Sequence, residues 1–315
     1  MTDILRTPED RFAELPDFPY TPHYCDDLPT FEGLRLHYLD EGPSHADGAF
    51  LCLHGEPTWS YLYRKMLPVF TAEGHRVIAP DFFGFGRSDK PVDEAIYTFD
   101  FHRRTLTAFI EKLDLTGITL VCQDWGGILG LTLPMDMPQR FDRLLVMNTT
   151  LGTGDTQLSQ GFVDWRAWVR KNPDLSAGRL MHLTCPHLSE DECAGYDAPF
   201  PDRTYKAGVR RFPELVPDHP DAPGAALSRQ ARDWLQHHWK GPVFMAVGTK
   251  DPVLGVPVMA ALRNDINGCP EPYAHPEAGH FVQEWGEGIA ARALAAFVSK
   301  RFSVDRQGKS QTMPS

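Results

Sequence analysis

The chain has 315 residues, 42% hydrophobic and 23% charged, with a formal net charge of −11. That length supports one large core, or a core carrying an inserted subdomain, and an acidic chain without a basic stripe argues against nucleic acid and anionic membrane surfaces as partners. No apolar run reaches the roughly 18 residues of a membrane span, and the N-terminus MTDILRTPEDRF lacks the basic and apolar regions of a secretion signal.

In chain order, FEGLRLHYLD alternates with the two-residue period of a half-buried strand. AFLCLHG, HRVIAPD, GITLVCQD and LLVMNTT are continuous apolar runs that stop at glycine or a polar residue, as strands buried on both faces do. WSYLYRKMLPVF, FDFHRRTLTAFIEKL and GGILGLTLPMD lie between them and read as helices, so the alternation predicts an α/β fold with a mostly parallel sheet flanked by helices. After Leu151 the chain becomes rich in Pro, Trp and His and has no buried strand until PVFMAVGTKD, although WRAWVRK and TYKAGVRRF read as short helices. The expectation is a core of residues 1–151, a helical insertion of 152–224, a second core segment of 225–303, and a disordered polar tail of 304–315. The six cysteines, at 25, 52, 122, 185, 193 and 269, form no CxxC pair, so neither a zinc site nor a redox motif is expected. Free thiols fit a reducing, cytoplasmic setting.

The chemistry centres on VCQDWGG. A strand ends at Cys122, a helix begins near Gly126, and Asp124 occupies the turn between them. This is the arrangement of a nucleophile elbow, which needs small residues two before and two after the reactive one. Cys122 and Gly126 meet that need, although cysteine departs from the commoner glycine. Taken alone, Asp124 reads equally well as the cap of the next helix. A carboxylate in place of the usual serine is ionised at neutral pH and can attack a saturated carbon directly. The resulting alkyl ester then needs a base to activate water, which histidine supplies. In such folds the order along the chain is nucleophile, acid, histidine. Asp251 follows the PVFMAVG strand, and His280 follows Gly279 on a loop before the last helix. Asp251 could instead be a plain turn residue before Pro252, and His275 competes with His280 but lies in a strand-like stretch before Pro276. The loop LCLHGEPTWS places Glu56, with Trp125, to donate backbone N–H groups to an oxyanion. His54 tempts as a base, but its position directly after a strand suggests that it shapes the loop.

HGEPTWSYLYR, DFFGFGRSDKP, VCQDWGG, GTKDPVLG and GHFVQEW together resemble the haloalkane dehalogenases of the α/β-hydrolase superfamily. The resemblance covers about 30 to 150 and 240 to 300, and is thinnest in the insertion. It implies an α/β-hydrolase fold with a helical cap, no cofactor, no metal, and a small apolar halogenated substrate with water and halide as the other partners. It further implies the subfamily with two halide-binding tryptophans, in which Trp125 is one donor and a cap tryptophan the other. Trp165 is chosen for the second, with Trp168 as the alternative. Indole N–H groups suit a leaving halide because they donate while the rings exclude water. An epoxide hydrolase would use the same three residues with a cap tyrosine, Tyr196 or Tyr205, as proton donor. A fluoroacetate-type enzyme would want an arginine near Asp124. A non-catalytic hydrolase-fold receptor would have no need of all three residues.

Overall fold

The computed structural model describes residues 3–308, with side chains through residue 298. The strands are β1 (Ile4–Leu5), β2 (His23–Cys25), β3 (Leu36–Glu41), β4 (Ala49–Leu53), β5 (Arg76–Pro80), β6 (Lys90–Pro91), β7 (Ile118–Gln123), β8 (Phe141–Met147), β9 (Val243–Gly248) and β10 (Tyr273–His275). Eight of them form one sheet in the order β10-β9-β8-β7-β4-β5-β3-β2, while β1 and β6 pair separately. The sheet is parallel from β10 to β5, and β3 runs antiparallel to both of its neighbours. Every residue of β4 and β7 is buried, which is why these strands read as unbroken apolar runs.

The helices are α1 (Leu67–Ala72), α2 (Phe99–Lys112), α3 (Trp125–Gly130), α4 (Leu133–Asp136), α5 (Gln160–Lys171), α6 (Ala177–Thr184), α7 (Glu190–Asp197), α8 (Ala207–Leu215), α9 (Ala225–His237), α10 (Val256–Asn264) and α11 (Gly286–Gly308). The alternation of strand and helix seen in the sequence is thus the architecture, with α5 to α9 filling the interval between β8 and β9. Three local expectations change. WSYLYRKMLPVF divides into a 3-10 turn, Ser60–Tyr63, and α1, because Pro68 near the start of α1 has no N–H to continue an earlier helix. GGILGLTLPMD divides in the same way into α3 and α4, with proline again near the start of the second helix. The last helix passes the expected boundary at 303 and is described to Gly308, so 304–308 are helical; the rest of the expected tail, 309–315, lies outside the described residues.

Within the insertion, α6 and α7 escaped the sequence reading. Both carry a serine cap: Ser176 accepts from the Arg179 N–H at 2.9 Å, and Ser189 forms a reciprocal capping box with Glu192. Arg64 clamps the insertion to the core. Fully buried, it donates twice to Glu284, at 2.6 and 2.9 Å, and once to Glu192 of α7 at 2.9 Å. Removing one member of such a network strands a buried charge, at a cost of about 3–5 kcal/mol. The exposed ion pairs Arg170–Glu214 and Arg166–Asp218, which tie α5 to the chain around α8, contribute at most about 1 kcal/mol each.

The sheet order places the site. From β4 the chain passes to β5 on one side, and from β7 to β8 on the other, so a crevice opens beyond the carboxyl ends of this adjacent pair. His54 to Glu56 leave β4 there, and Asp124 leaves β7.

Candidate active site

Asp124 sits at φ 49° and ψ −125°, a conformation that costs a non-glycine residue about 1–3 kcal/mol. The surroundings impose it. The Asp124 N–H donates to the Asn148 carbonyl at 3.0 Å, and the Asp124 carbonyl receives Gly127 N, Ile128 N and the Thr149 hydroxyl at 2.7–3.0 Å. A Cβ on Gly126 would fall 2.0 Å from the Leu53 carbonyl oxygen, and one on Gly55 would fall 2.4 Å from Asp124 Oδ1. Only glycine lets the two loops approach this closely. The Asp124 side chain makes no capping hydrogen bond to α3, which removes the helix-cap alternative. It instead accepts from the Glu56 N–H at 2.8 Å, and the Trp125 N–H stabilises the same carboxylate. Burial pushes the Asp124 carboxyl up from its ordinary value, while His280 and these two amides act in the opposite direction.

His280 lies in the loop between β10 and a 3-10 turn, Val282–Trp285. Its Nδ1 is 2.9 Å from Asp251 Oδ2, and its Nε2 is 3.7 Å from Asp124 Oδ2, beyond direct hydrogen bonding. Burial acts to lower the imidazole, but the charge and hydrogen bond of Asp251, with the charge of Asp124, outweigh it and hold the group up at about 9. Asp251 follows β9 and is almost enclosed. Burial would raise its carboxyl, yet His280, Asn148 and the Val253 amide together keep it below the ordinary value. Asn148 Nδ2 donates to Asp251 Oδ2 and Val253 N to Oδ1, both at 2.8 Å. Asn148 was not singled out in the sequence; its one signal was a polar residue at the carboxyl end of the LLVMN strand, where sites in such sheets gather.

A cavity of about 150 Å³ brings these groups together. Glu56, Asp124, Trp125, Trp165, Asp251 and His280 all line it, with Phe162, Leu180, Pro213 and Phe281 supplying apolar wall. Trp125 is buried, its ring 4.8 Å from that of Phe212. Trp168 is absent from the lining: it is 44% exposed and stacks on the outer side of Trp165, ring centroids 5.4 Å apart. The Glu56 side chain is also buried. Burial first, and the Asp124 charge second, push its carboxyl well above the usual range, against a hydrogen bond with Trp165 that acts to lower it. His275 lies in β10 with its ring towards Trp285, outside the cavity. Tyr196 is fully buried with its hydroxyl on Glu284, and neither it nor Tyr205 lines the cavity. No arginine lines it either. Among the described residues there is no cluster of three or more potential metal ligands, and no helix long and apolar enough to cross a membrane.

A family model for the α/β hydrolase fold matches residues 48–287. The chain is 45% identical over 304 residues to a haloalkane dehalogenase of Psychrobacter cryohalolentis, covering 94% of this chain and 98% of the relative. It is 43% identical over 296 residues to one of Mycolicibacterium paratuberculosis, covering 93% and 97%. Among solved structures, the tetrameric haloalkane dehalogenase DpaA of Paraglaciecola agarilytica NO2 superposes with a TM-score of 0.92 at 52% identity, over 94% of this chain and 99% of that one. DatA of Agrobacterium tumefaciens C58 superposes with a TM-score of 0.72 at 26% identity, over 93% and 99%. Beside an aspartate on the elbow, an acid-supported histidine above it and two tryptophans in the wall, the chain is alike over nearly its whole length to these relatives, and it belongs to the haloalkane dehalogenase family of α/β hydrolases.

Proposed function

We propose that this enzyme hydrolyses short haloalkanes to an alcohol, a halide ion and a proton through an ester on Asp124. Asp124 Oδ2, the oxygen not held by Glu56, attacks the carbon bearing the halogen, and the carbon–halogen electron pair leaves with the halide. The Trp125 and Trp165 indoles receive the halide in a wall that excludes water. His280 then takes a proton from a water molecule, whose oxygen adds to the Asp124 carboxyl carbon. The oxyanion rests on the Glu56 and Trp125 amides, and collapse releases the alcohol with the proton returned from His280, leaving Asp124 as a carboxylic acid whose ionisation restores the carboxylate and gives the net proton. The observation that carries this reading is the alignment Asp251–His280–Asp124, with Nε2 facing the carboxylate across 3.7 Å. A cavity of this volume holds a molecule roughly the size of benzene, which favours short substrates. The epoxide-opening alternative lacks its proton donor, since neither cap tyrosine reaches the cavity. In the same reading residues 152–224 act as the cap, and the enzyme works in the cytoplasm, where its free cysteines stay reduced. A screen of bromo-, chloro- and iodoalkanes beside an epoxide, without added metal or cofactor, tests it: halide release is expected, and epoxide opening alone would reverse the assignment.

The roles of the two cap tryptophans separate by fluorescence. Bromide should quench the wild-type protein, and Trp165→Phe should weaken bromide binding about tenfold or more, the loss of one hydrogen bond to a charged group. Trp168→Phe should bind bromide nearly as the wild type does. The reverse ranking would make Trp168 the donor.

The charge on Asp124 also sets a pH signature. In the resting site it helps hold His280 up at about 9, and alkylation removes that charge. The imidazole then falls and is neutral at lower pH, ready to act as a base. Single-turnover ester hydrolysis should therefore lose rate with falling pH around a midpoint below the resting value of His280, measured by NMR on the free enzyme. A midpoint at or above the resting value would contradict the coupling.

A further inference from the structure

His54 has so far had no task. It follows β4 directly, is fully buried, and packs its ring on Phe82 and Phe85 at centroid distances of 4.3 and 5.5 Å. The Phe82 N–H donates to His54 Nε2 at 2.9 Å. A backbone amide can only donate, so Nε2 is the acceptor and, in the neutral ring, the proton resides on Nδ1. Nδ1 lies 2.9 Å from the Gly55 carbonyl oxygen and therefore donates to it. Thr58 completes the grip on the same oxygen, with its hydroxyl at 2.9 Å and its N–H at 3.0 Å. Burial lowers the His54 imidazole from its ordinary value, although the nearby Asp81 opposes that shift, so the neutral tautomer persists.

We propose that His54 is a positioning residue that orients the oxyanion pocket by holding the Gly55–Glu56 peptide plane. In a planar trans peptide the C=O and the following N–H point in opposite directions. Gripping the Gly55 oxygen therefore fixes the direction of the Glu56 N–H, which meets Asp124 Oδ1 at 2.8 Å. The lock is needed because position 55 must be glycine for the loops to meet, and glycine leaves its own peptide plane free to turn. The far end of the lock is rigid as well. Phe82 follows Asp81, a buried carboxylate that accepts from His37 Nδ1 at 2.6 Å, Ser60 N at 2.7 Å and Arg87 N at 2.8 Å.

This inference rests on the ester mechanism proposed above, and it predicts a split between the two chemical steps. Alkylation removes charge from Asp124 and makes little use of an oxyanion donor. Hydrolysis places a new negative charge on the oxygen that Glu56 faces. Mass measurement of the adduct on His280→Phe comes first, and bromide release without an adduct would sink the ester reading itself. Rapid-quench kinetics then follow alkylation and ester hydrolysis separately in three variants. In His54→Phe, which keeps a ring but loses both nitrogens, hydrolysis should slow about a hundredfold while alkylation stays within about threefold. His54→Asn can set an amide N–H near the place of Nδ1 and should recover about tenfold of that loss. His54→Gln reaches the place of Nε2 and should recover none. Equal slowing of both steps, unchanged hydrolysis in His54→Phe, or rescue by Gln as good as by Asn would overturn the proposal. Should His54→Phe fail to fold, the comparison of Asn with Gln decides alone.

Discussion

His280→Phe is expected to stop turnover while leaving the first chemical step intact. Incubated with a short bromoalkane, the variant should release about one equivalent of bromide per chain and gain the mass of one alkyl group, located on the peptide carrying Asp124. Steady-state halide release should fall by about 10²–10⁴, the usual contribution of a positioned base. The expectation follows from geometry. Nε2 of His280 faces the Asp124 carboxylate at 3.7 Å, too far for a direct hydrogen bond and placed to address a water entering between them. The Asp124 carboxylate itself needs no base to attack. Bromide released without an adduct would mean that water attacks the substrate directly, and an inert protein would mean that His280 takes part in the first step.

Asp251→Ala carries the second large effect. Asp251 is, among the described residues, the hydrogen-bond partner of His280 Nδ1 and supplies most of the upward pull on the imidazole. Without it the ring loses both its orientation and its stabilisation as a cation during water attack. Ester hydrolysis should slow by about 10²–10⁴, with adduct accumulating as in His280→Phe. The change also leaves the Val253 N–H without its acceptor, at about 1–3 kcal/mol, and takes from Asn148 Nδ2 its shortest hydrogen bond, with the longer ones to the Gly248 and Leu254 carbonyls at 3.3 and 3.4 Å remaining. The variant should therefore melt earlier as well. Asp251→Asn keeps the volume and separates the two effects: a melting point near that of the wild type with hydrolysis still slowed places the loss in the chemistry. Turnover within about tenfold of the wild type would remove Asp251 from the base-supporting role.

The site was legible to different depths at different residues. Asp124 was ambiguous as a single residue, and its place before Asp251 and His280 in chain order made it a candidate nucleophile. That inference needs only connectivity, since strand ends in a parallel sheet must gather at one edge. Asn148 was missed because its contact with Asp251 joins residues 103 apart in sequence and carries no local pattern. Trp165 and Trp168 lie three apart on α5 and are chemically alike, so no periodicity could divide them. The docking of α5 on the core puts the first in the cavity wall and the second outside it. Tyr196 shows the same limit from the other direction: a suitable residue in the cap, drawn away from the cavity by Arg64 and Glu284, which come from distant loops.

By itself, then, the sequence determined the sheet, through continuous apolar runs that suit strands covered on both faces, and offered a candidate nucleophile, through an aspartate held between small residues on a tight turn. The tertiary structure alone decided which way each polar group faces. The upward push on the Glu56 carboxyl, the support of Asp251 by Asn148, and the His54 lock on the Gly55 carbonyl all arise from burial and from hydrogen bonds between separate loops. Those forces depend on distance and dielectric, and a linear pattern of residues records neither.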